Sequence, residues 1–208
     1  MKSKLKSIYQ FFASLDTVTK TLLWINLIAY IFVVIQYGMD AIWGLDVEQL
    51  LTIGGVTGDS PLVSVLISMF LHYSLLHFVI NMAILVLLSR TVSANFSPME
   101  YLLVYLLAGI VGNLIAQDFI PKVVSVGASG GIYGLIGLLL ISALFKKKFP
   151  ELNAMFMFIF ITAIVFIVGT FFSAISNVTS HIIGLLIGSG SAFLIQNFKL
   201  EVYREDAS

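Results

Sequence analysis

The chain has 208 residues, of which 59% are hydrophobic and only 11% are charged, and its formal net charge at pH 7 is zero. A soluble domain carries about a quarter charged residues, so this composition excludes an ordinary soluble fold and predicts an all-α membrane protein. The neutral balance argues against a nucleic-acid partner, and the absence of cysteine excludes disulfides, thiol catalysis and thiolate metal sites.

Before the first long apolar stretch, apolar residues recur at helical spacing among three lysines. This pattern favours a helix lying in the membrane surface, with a frayed tail as the alternative. The following apolar stretch is too long for a cleaved signal peptide, and no small-x-small cleavage site follows it. We therefore expect it to be retained. The amphipathic positions are Leu5, Ile8, Phe11, Phe12 and Leu15.

Six apolar stretches have the length and composition expected of transmembrane helices. The connection between the first two is long, and we expect short helices there that dip into the outer leaflet instead of a seventh crossing. The predicted organisation is a cytoplasmic or interfacial segment (1–20), a six-helix membrane domain (21–198) and a cytoplasmic tail (199–208). The stretches cover residues 22–37, 77–96, 101–116, 128–145, 154–172 and 178–198.

The distribution of lysine and arginine predicts the orientation of these helices. With the N-terminus inside, all of the 11 basic residues except Lys122 fall on the inner side, as the positive-inside rule requires. We therefore expect both termini in the cytoplasm and the long first loop on the outer side of a cell membrane. The lack of a targeting presequence favours a bacterial membrane.

Three polar residues in different apolar stretches lie at a similar predicted depth. At 1.5 Å per residue, Asn81, Ser129 and His181 lie roughly 22 to 27 Å from the inner boundary. Ionisable groups at membrane depth are costly and therefore mark candidate functional sites. An imidazole beside a serine hydroxyl can act as its general base in acyl transfer.

Glycines spaced four residues apart predict close packing of the fourth and sixth apolar stretches. Gly130 and Gly134 share one face of the fourth stretch, and Gly184 and Gly188 share one face of the sixth. If these faces pack together, the serine and the histidine face each other one turn outward of the contact.

Acyl transfer also needs hydrogen-bond donors for the oxyanion that develops on the attacked carbonyl. His77 and Asn81 are four residues apart and share a helix face. Backbone N–H groups before Ser129 lie near a helix N-terminus, which favours negative charge. His72 points about 140° away from His77 if the helix is continuous, so we expect it to order the loop.

Each feature alone also fits a structural role. A lone glycine–serine run is usually a packing face, and a lone membrane histidine is usually a hydrogen-bond partner or part of a proton path. Tyr133 fits an interface anchor and Asn113 fits a bridge between helices. The joint pattern favours catalysis. A metal site fits poorly, because His72 and His77 lack the glutamate of an H-E-x-x-H motif and the predicted helix interiors carry no carboxylate.

Taken together, these residues resemble the rhomboid family of intramembrane serine proteases. The resemblance extends from about residue 66 to residue 198 and keeps the order of the family's motifs. The motifs are His72-x4-His77-x3-Asn81, then Gly127-Ala128-Ser129-Gly130, then His181 with Gly184 and Gly188.

The resemblance implies a six-transmembrane-helix bundle with a long first extracytoplasmic loop. It implies a serine endopeptidase without metal or cofactor that cleaves transmembrane protein substrates near the outer end of their spanning helix. Ser129 would be the nucleophile and His181 the general base. His77, Asn81 and the Ser129 amide would form the oxyanion hole.

The resemblance also implies roles for residues around this pair. Tyr133 would stack on His181, Gly127 and Gly130 would line or support the substrate cleft with His72, and residues 171–177 would cap the site. The sequence lacks two elements of the family that are expected to brace the first loop and the helix ends. Val63-Ser64 stand in place of a Trp-Arg pair, and Ser89, Ser93 and Ser97 replace a Gly-x3-Glu-x3-Gly pattern.

Two other functions stay open at this point. A catalytically silent relative that binds or escorts membrane proteins would not require both Ser129 and His181. A small transporter or proton channel would place polar residues through the full depth of the bilayer, whereas here they cluster in the outer half.

Overall fold

The computed structural model describes residues 10–120, 122–145, 147–171 and 177–205. The regular elements in these ranges are helical, apart from an isolated antiparallel bridge between Val56 and Ser125. A short helical turn covers residues 10–13. The helices after it are α1 (Thr17–Tyr37), α2 (Met39–Trp43), α3 (Val47–Thr52), α4 (Leu62–Ile67), a 3-10 turn (Ser68–Phe70), α5 (Leu75–Asn95), α6 (Pro98–Phe119), α7 (Ser129–Leu144), α8 (Pro150–Ala154), α9 (Phe156–Phe171) and α10 (Val178–Glu205).

Four of these helices are long and apolar enough to cross a membrane: α1, α5, α6 and α10. The helices α7 and α9 are apolar but shorter, at 16 residues each. Each of the six overlaps one of the six predicted stretches. The protein is thus an all-helical, multi-pass membrane protein.

Polar capping residues set where several helices begin, and this explains the errors in the predicted bounds. The side chain of Asp16 accepts a hydrogen bond from Thr19 N at 2.9 Å, so α1 begins five residues before the apolar stretch. Ser97 and Glu100 form a capping box at the start of α6. A cap satisfies backbone N–H groups that the first helical turn leaves without partners, and apolar length does not detect it.

The helix α7 lies at the centre of the bundle. Thirteen of its 16 residues are buried, and it packs between α6 and α10. A methyl group added to Gly184 or Gly188 would overlap the carbonyl oxygen of Gly130 or Gly134, respectively. The two glycine faces are therefore in direct backbone contact.

The long first loop is folded onto the bundle. Its helices cover a second, smaller core that also includes the segment just before α7. Tyr30 donates a hydrogen bond to the Ala41 carbonyl at 2.8 Å, and Gln117 donates to the Thr57 carbonyl at 2.8 Å. The buried residues of this core are Val33, Ala41, Leu45, Leu50, Leu71, Val124 and Val126.

The residues that stand in place of the missing family elements make other contacts here. Ser64 is buried while Val63 is exposed. Ser89 donates to the Val86 carbonyl within α5 at 2.8 Å. Ser97 lies beyond the end of α5 and caps α6.

The predicted surface helix falls partly outside the described residues, which leave out residues 1–9. Phe11 and Phe12 are exposed and Leu15 is buried. The Arg90 guanidinium lies 4.9 Å from the centre of the Phe11 ring and donates to Ser14 Oγ at 3.1 Å. The described end of this segment therefore packs against α5.

Candidate active site

Ser129 is the first residue of α7 and follows a tight turn. Gly127 in this turn has a φ of +124°, a conformation that side chains rarely adopt. Its N–H donates to the Ser68 carbonyl at 2.8 Å. A methyl group at Gly127 would lie 2.7 Å from His77 Cε1, so both the backbone conformation and the space require glycine here.

His181 lies in the first turn of α10 and meets Ser129 directly. The distance from His181 Nε2 to Ser129 Oγ is 2.7 Å, although the residues are 52 positions apart in the chain. Asn177 fixes the start of α10, because its side-chain Oδ1 accepts from Ser180 N at 2.9 Å and its carbonyl accepts from His181 N at 3.2 Å. Side-chain acceptors at this position are typical helix caps.

The imidazole of His181 is held in a stack of rings. The centre of the Tyr133 ring lies 4.4 Å from the centre of the imidazole, at an interplanar angle of 19°. The Phe166 ring in turn stacks on Tyr133, with ring centres 4.7 Å apart and an interplanar angle of 20°. Tyr133 is one turn after Ser129 on α7. The same helix therefore carries the hydroxyl and the ring that orients its partner.

His77 and Asn81 approach the site from α5. The His77 edge formed by Cε1 and Nε2 faces Gly127. Asn81 is buried one turn further on, where its Nδ2 donates to the His77 carbonyl at 2.9 Å. Among the described residues, Asn81 Oδ1 and His77 Nδ1 are buried without a hydrogen-bond partner. Both side chains thus keep polar atoms that are not used within the fold.

His72 lies behind His77, outside the candidate membrane spans. Its ring is fully buried, 5.0 Å from the His77 ring and 5.4 Å from the Phe78 ring, edge-on to both. Burial lowers the pKa of the His72 imidazole well below its ordinary value, and the neighbouring His77 lowers it further. His72 is therefore a neutral packing residue at the base of the loop.

The remaining predicted residues divide between packing and a segment that is not described. Gly130 packs against Gly109 of α6 and Ser180 of α10, and Gly134 packs against Ala108 of α6. Both glycines therefore lie in the contacts between α7 and its neighbouring helices. Residues 171–177, which were predicted to form a cap over the site, lie mostly outside the described residues, since residues 172–176 are left out. Within the described part of the chain, no three His, Cys, Asp or Glu side chains form a group that could hold a metal ion.

Sequence reasoning missed the roles that two residues have at the site. Asn177 stands three residues before Ser180 at the start of an apolar stretch, a spacing that predicts a helix cap. Phe166 gave no comparable signal, since it is one of several phenylalanines in an apolar helix and its role depends on tertiary contact.

Comparison with known proteins bears on this arrangement. Residues 60–198 match the family model described as Rhomboid domain, which is more than half of the chain. The chain belongs to the rhomboid family. The matched region contains the serine, the three histidines and the buried asparagines described above.

The rhomboid relatives include proteins named as proteases and proteins named as inactive. RHOMBOID-like protein 6, mitochondrial, of Arabidopsis thaliana is 33% identical over 62% of the chain and 42% of its own length. Rhomboid-like protease 3 of Toxoplasma gondii is 28% identical over 57% and 46%. Inactive RHOMBOID-like protein 8 of Arabidopsis thaliana is 33% identical over 44% and 26%. The chain thus spans less than half the length of these relatives.

Proposed function

We propose that this chain is an intramembrane serine endopeptidase that cleaves transmembrane protein substrates near the outer end of their spanning helix. The observation that carries the proposal is the 2.7 Å distance between His181 Nε2 and Ser129 Oγ. A serine becomes a useful nucleophile when an adjacent base accepts its proton, and this distance permits the transfer.

The proposed reaction runs through an acyl-enzyme. Ser129 Oγ attacks the substrate carbonyl carbon while its proton passes to His181 Nε2, and the carbonyl π electrons move onto oxygen. The tetrahedral intermediate collapses, the C–N bond breaks, and His181 returns the proton to the leaving amine. A water molecule, deprotonated by the same imidazole, then hydrolyses the ester.

The oxyanion of this intermediate requires donors that are already in place. We assign this role to the Ser129 N–H, at the start of α7, together with the side chains of His77 and Asn81. The His77 ring edge that carries Nε2 faces Gly127, and the Asn81 Nδ2 group, one turn further along α5, has a second N–H besides the one it donates to the His77 carbonyl. Gly127 would line the substrate cleft, with support from His72. The assignment of His77 rests on its position beside Gly127 and on the family's motif, and that of Asn81 rests on the motif and on its contact with His77.

The ring stack replaces the acid of a serine–histidine–aspartate triad. In such a triad the carboxylate fixes the orientation of the imidazole. Here Tyr133, backed by Phe166, holds the plane of the His181 ring at 4.4 Å. A dyad without an acid can therefore keep its histidine oriented.

The proposal includes a membrane arrangement. We propose that α1, α5, α6, α7, α9 and α10 all cross a bacterial cell membrane, with both termini in the cytoplasm and α2–α4 on the outer side. The short α7 would then begin within the bilayer, so that Ser129 lies below the outer surface. The membrane domain would be residues 21–198, between an interfacial segment (1–20) and a cytoplasmic tail (199–208).

A catalytically silent rhomboid protein that binds membrane proteins is the second candidate. It is favoured by one observation, that relatives named inactive match this chain at identities similar to those of a relative named a protease. The intact pair of Ser129 and His181 at hydrogen-bond distance argues for catalysis, since a binder has no use for it.

Cleavage of a model single-span protein by the purified chain in liposomes separates the two candidates. We expect cleavage by the parent and none by Ser129→Ala or His181→Ala, with all three equally folded. If the parent cleaves none of several substrates with helix-destabilised segments, or if Ser129→Ala cleaves equally well, the protease proposal fails. The membrane-protein binder then becomes the better account of this chain.

A further inference from the structure

The side chain of Asn113 on α6 uses its full hydrogen-bonding capacity. An amide can donate two hydrogen bonds and accept two, and this one does both while 4% exposed. Its Nδ2 donates to the Val65 carbonyl at 3.2 Å and to Ser68 Oγ at 3.0 Å. Its Oδ1 accepts from Ser125 Oγ at 2.9 Å and Ser180 Oγ at 3.2 Å.

One of these bonds reaches the start of α10. Ser180 immediately precedes His181, and its N–H and hydroxyl are held by Asn177 and Asn113, respectively. A methyl group at Gly112, beside Asn113, would lie 2.8 Å from both the carbonyl oxygen and the hydroxyl of Ser180. The first turn of α10 is therefore fixed in height and rotation against α6.

The other bonds reach the turn before α7. Ser125 is paired with Val56 through two backbone hydrogen bonds, and Gly127 N–H donates to the carbonyl of Ser68. Because Ser68 also binds Asn113 through its hydroxyl, the amide holds both the turn that leads to Ser129 and the loop residue on which that turn rests.

We propose that Asn113 is a positioning residue that sets the register between Ser129 and His181. This inference rests on the proposed function, since it concerns the same pair. The pair is built from segments far apart in the chain, and Asn113 is bonded to both. A displacement of about 1 Å in such a pair can lower turnover about 100-fold. A buried asparagine that merely joined a loop to a helix would affect stability alone.

The kinetic test uses the full chain in liposomes with a single-span substrate. Asn113→Leu removes all four hydrogen bonds and keeps the number and branching of side-chain heavy atoms. Ser125→Ala and Ser180→Ala each remove one of the four. We expect Asn113→Leu to lower kcat about 100-fold with KM within about twofold of the parent. The effect of Ser180→Ala should disappear in the Asn113→Leu background.

The matched control is Thr19→Val. Thr19 is also fully buried and bonds across helices, 3.1 Å from the Tyr101 hydroxyl. Tyr101 lies about 18 Å along α6 from Asn113, at 1.5 Å per residue. Thr19→Val should lower the unfolding temperature and leave kcat unchanged, because it removes a buried cross-helix contact far from the site. Equal kcat in Asn113→Leu and the parent would overturn the proposal.

A second readout does not depend on turnover. The chain has three histidines, so the imidazole 15N spectrum of the histidine-labelled chain in nanodiscs can be assigned by single substitutions. Asn113→Leu should shift the His181 signal as Ser129→Ala does, and Thr19→Val should not. An unshifted signal would overturn the positioning role even if the parent proves inactive, whereas an inactive parent with a shifted signal would end the protease proposal alone.

Discussion

The helices α7 and α9 have the same length, 16 residues, and are both strongly apolar, yet they occupy opposite environments. In α7 thirteen residues are buried. In α9 one narrow face is buried, formed by Ile159, Thr162 and Ala163, and most of the other described side chains point outward.

Glycine explains the difference. The sequence of α7 contains four glycines, whereas that of α9 has one glycine and five phenylalanines. In lipid there is no hydrophobic gain from bringing two apolar helices together, so close backbone approach and van der Waals contact decide which helices pack. The residues of the site are concentrated where glycine permits that approach.

The same substitution in the two helices tests this contrast most strongly. Ile136 on α7 is 0% exposed and Ile161 on α9 is 55% exposed. Ile136→Ala leaves a cavity and should cost about 2–4 kcal/mol of unfolding free energy, whereas Ile161→Ala should cost less than about 1 kcal/mol because lipid fills the space. Equilibrium unfolding in mixed micelles measures both. Equal costs would mean that α9 is as tightly packed as α7.

Two glycines of α10 sharpen the role of backbone contact. A methyl group at Gly188 overlaps the Gly134 carbonyl, whereas one at Gly190 meets nothing within 4 Å. Gly188→Ala should therefore cost about 1–3 kcal/mol through overpacking. Gly190→Ala should be neutral or stabilising by up to about 1 kcal/mol, since alanine favours the helix. Comparable destabilisation by both variants would remove the glycine contact as the cause.

The ring stack is where α7 and α9 meet beside the site. Tyr133→Leu removes the ring that orients His181, and we expect kcat to fall about tenfold, which corresponds to about 1.4 kcal/mol in the barrier. Tyr133→Phe keeps the stack and should retain activity within about threefold of the parent, or about 0.7 kcal/mol. The measurement is the cleavage rate of each variant at the same folded fraction. Equal rates for the Leu and Phe variants would exclude orientation of the His181 ring by stacking.

The smallest expected effect concerns His72. The folded chain keeps this ring neutral, while the unfolded chain takes up a proton near pH 6.5. The unfolding free energy should therefore decrease as the pH is lowered, by about 0.8 kcal/mol between pH 7.5 and pH 6. Comparing the pH dependence of unfolding of the parent and His72→Phe isolates this contribution. Parallel pH profiles would show that His72 does not contribute.

The sequence predicted much of this fold because its signals are local. Apolar length located the four long helices and the two shorter apolar ones, and the spacing of Gly184 and Gly188 indicated the face of α10 that contacts α7. The predicted start of α1 was wrong because Asp16, a polar cap, begins the helix before the apolar residues do. The continuation of α10 to Glu205 was missed because its last turns are charged.

The candidate site was predictable where one motif carries it and unpredictable where it depends on distant contacts. The approach of Ser129 and His181 followed from depth and glycine spacing. The four bonds of Asn113 did not, since its partners lie 12 to 67 positions away in the chain. No pattern near Asn113 specifies which loop, turn and helix will meet at its amide.

Activation of Ser129 by His181 can be tested by labelling with a fluorophosphonate. Such a probe forms a covalent bond with a serine whose proton is taken by a neighbouring base. We expect a single adduct on Ser129 of the parent chain in liposomes, found by mass spectrometry of its peptides, and at least about 100-fold slower labelling of folded His181→Ala. Labelling of Ser129 at the same rate without His181, or no labelling of the parent at all, would show that His181 does not activate Ser129.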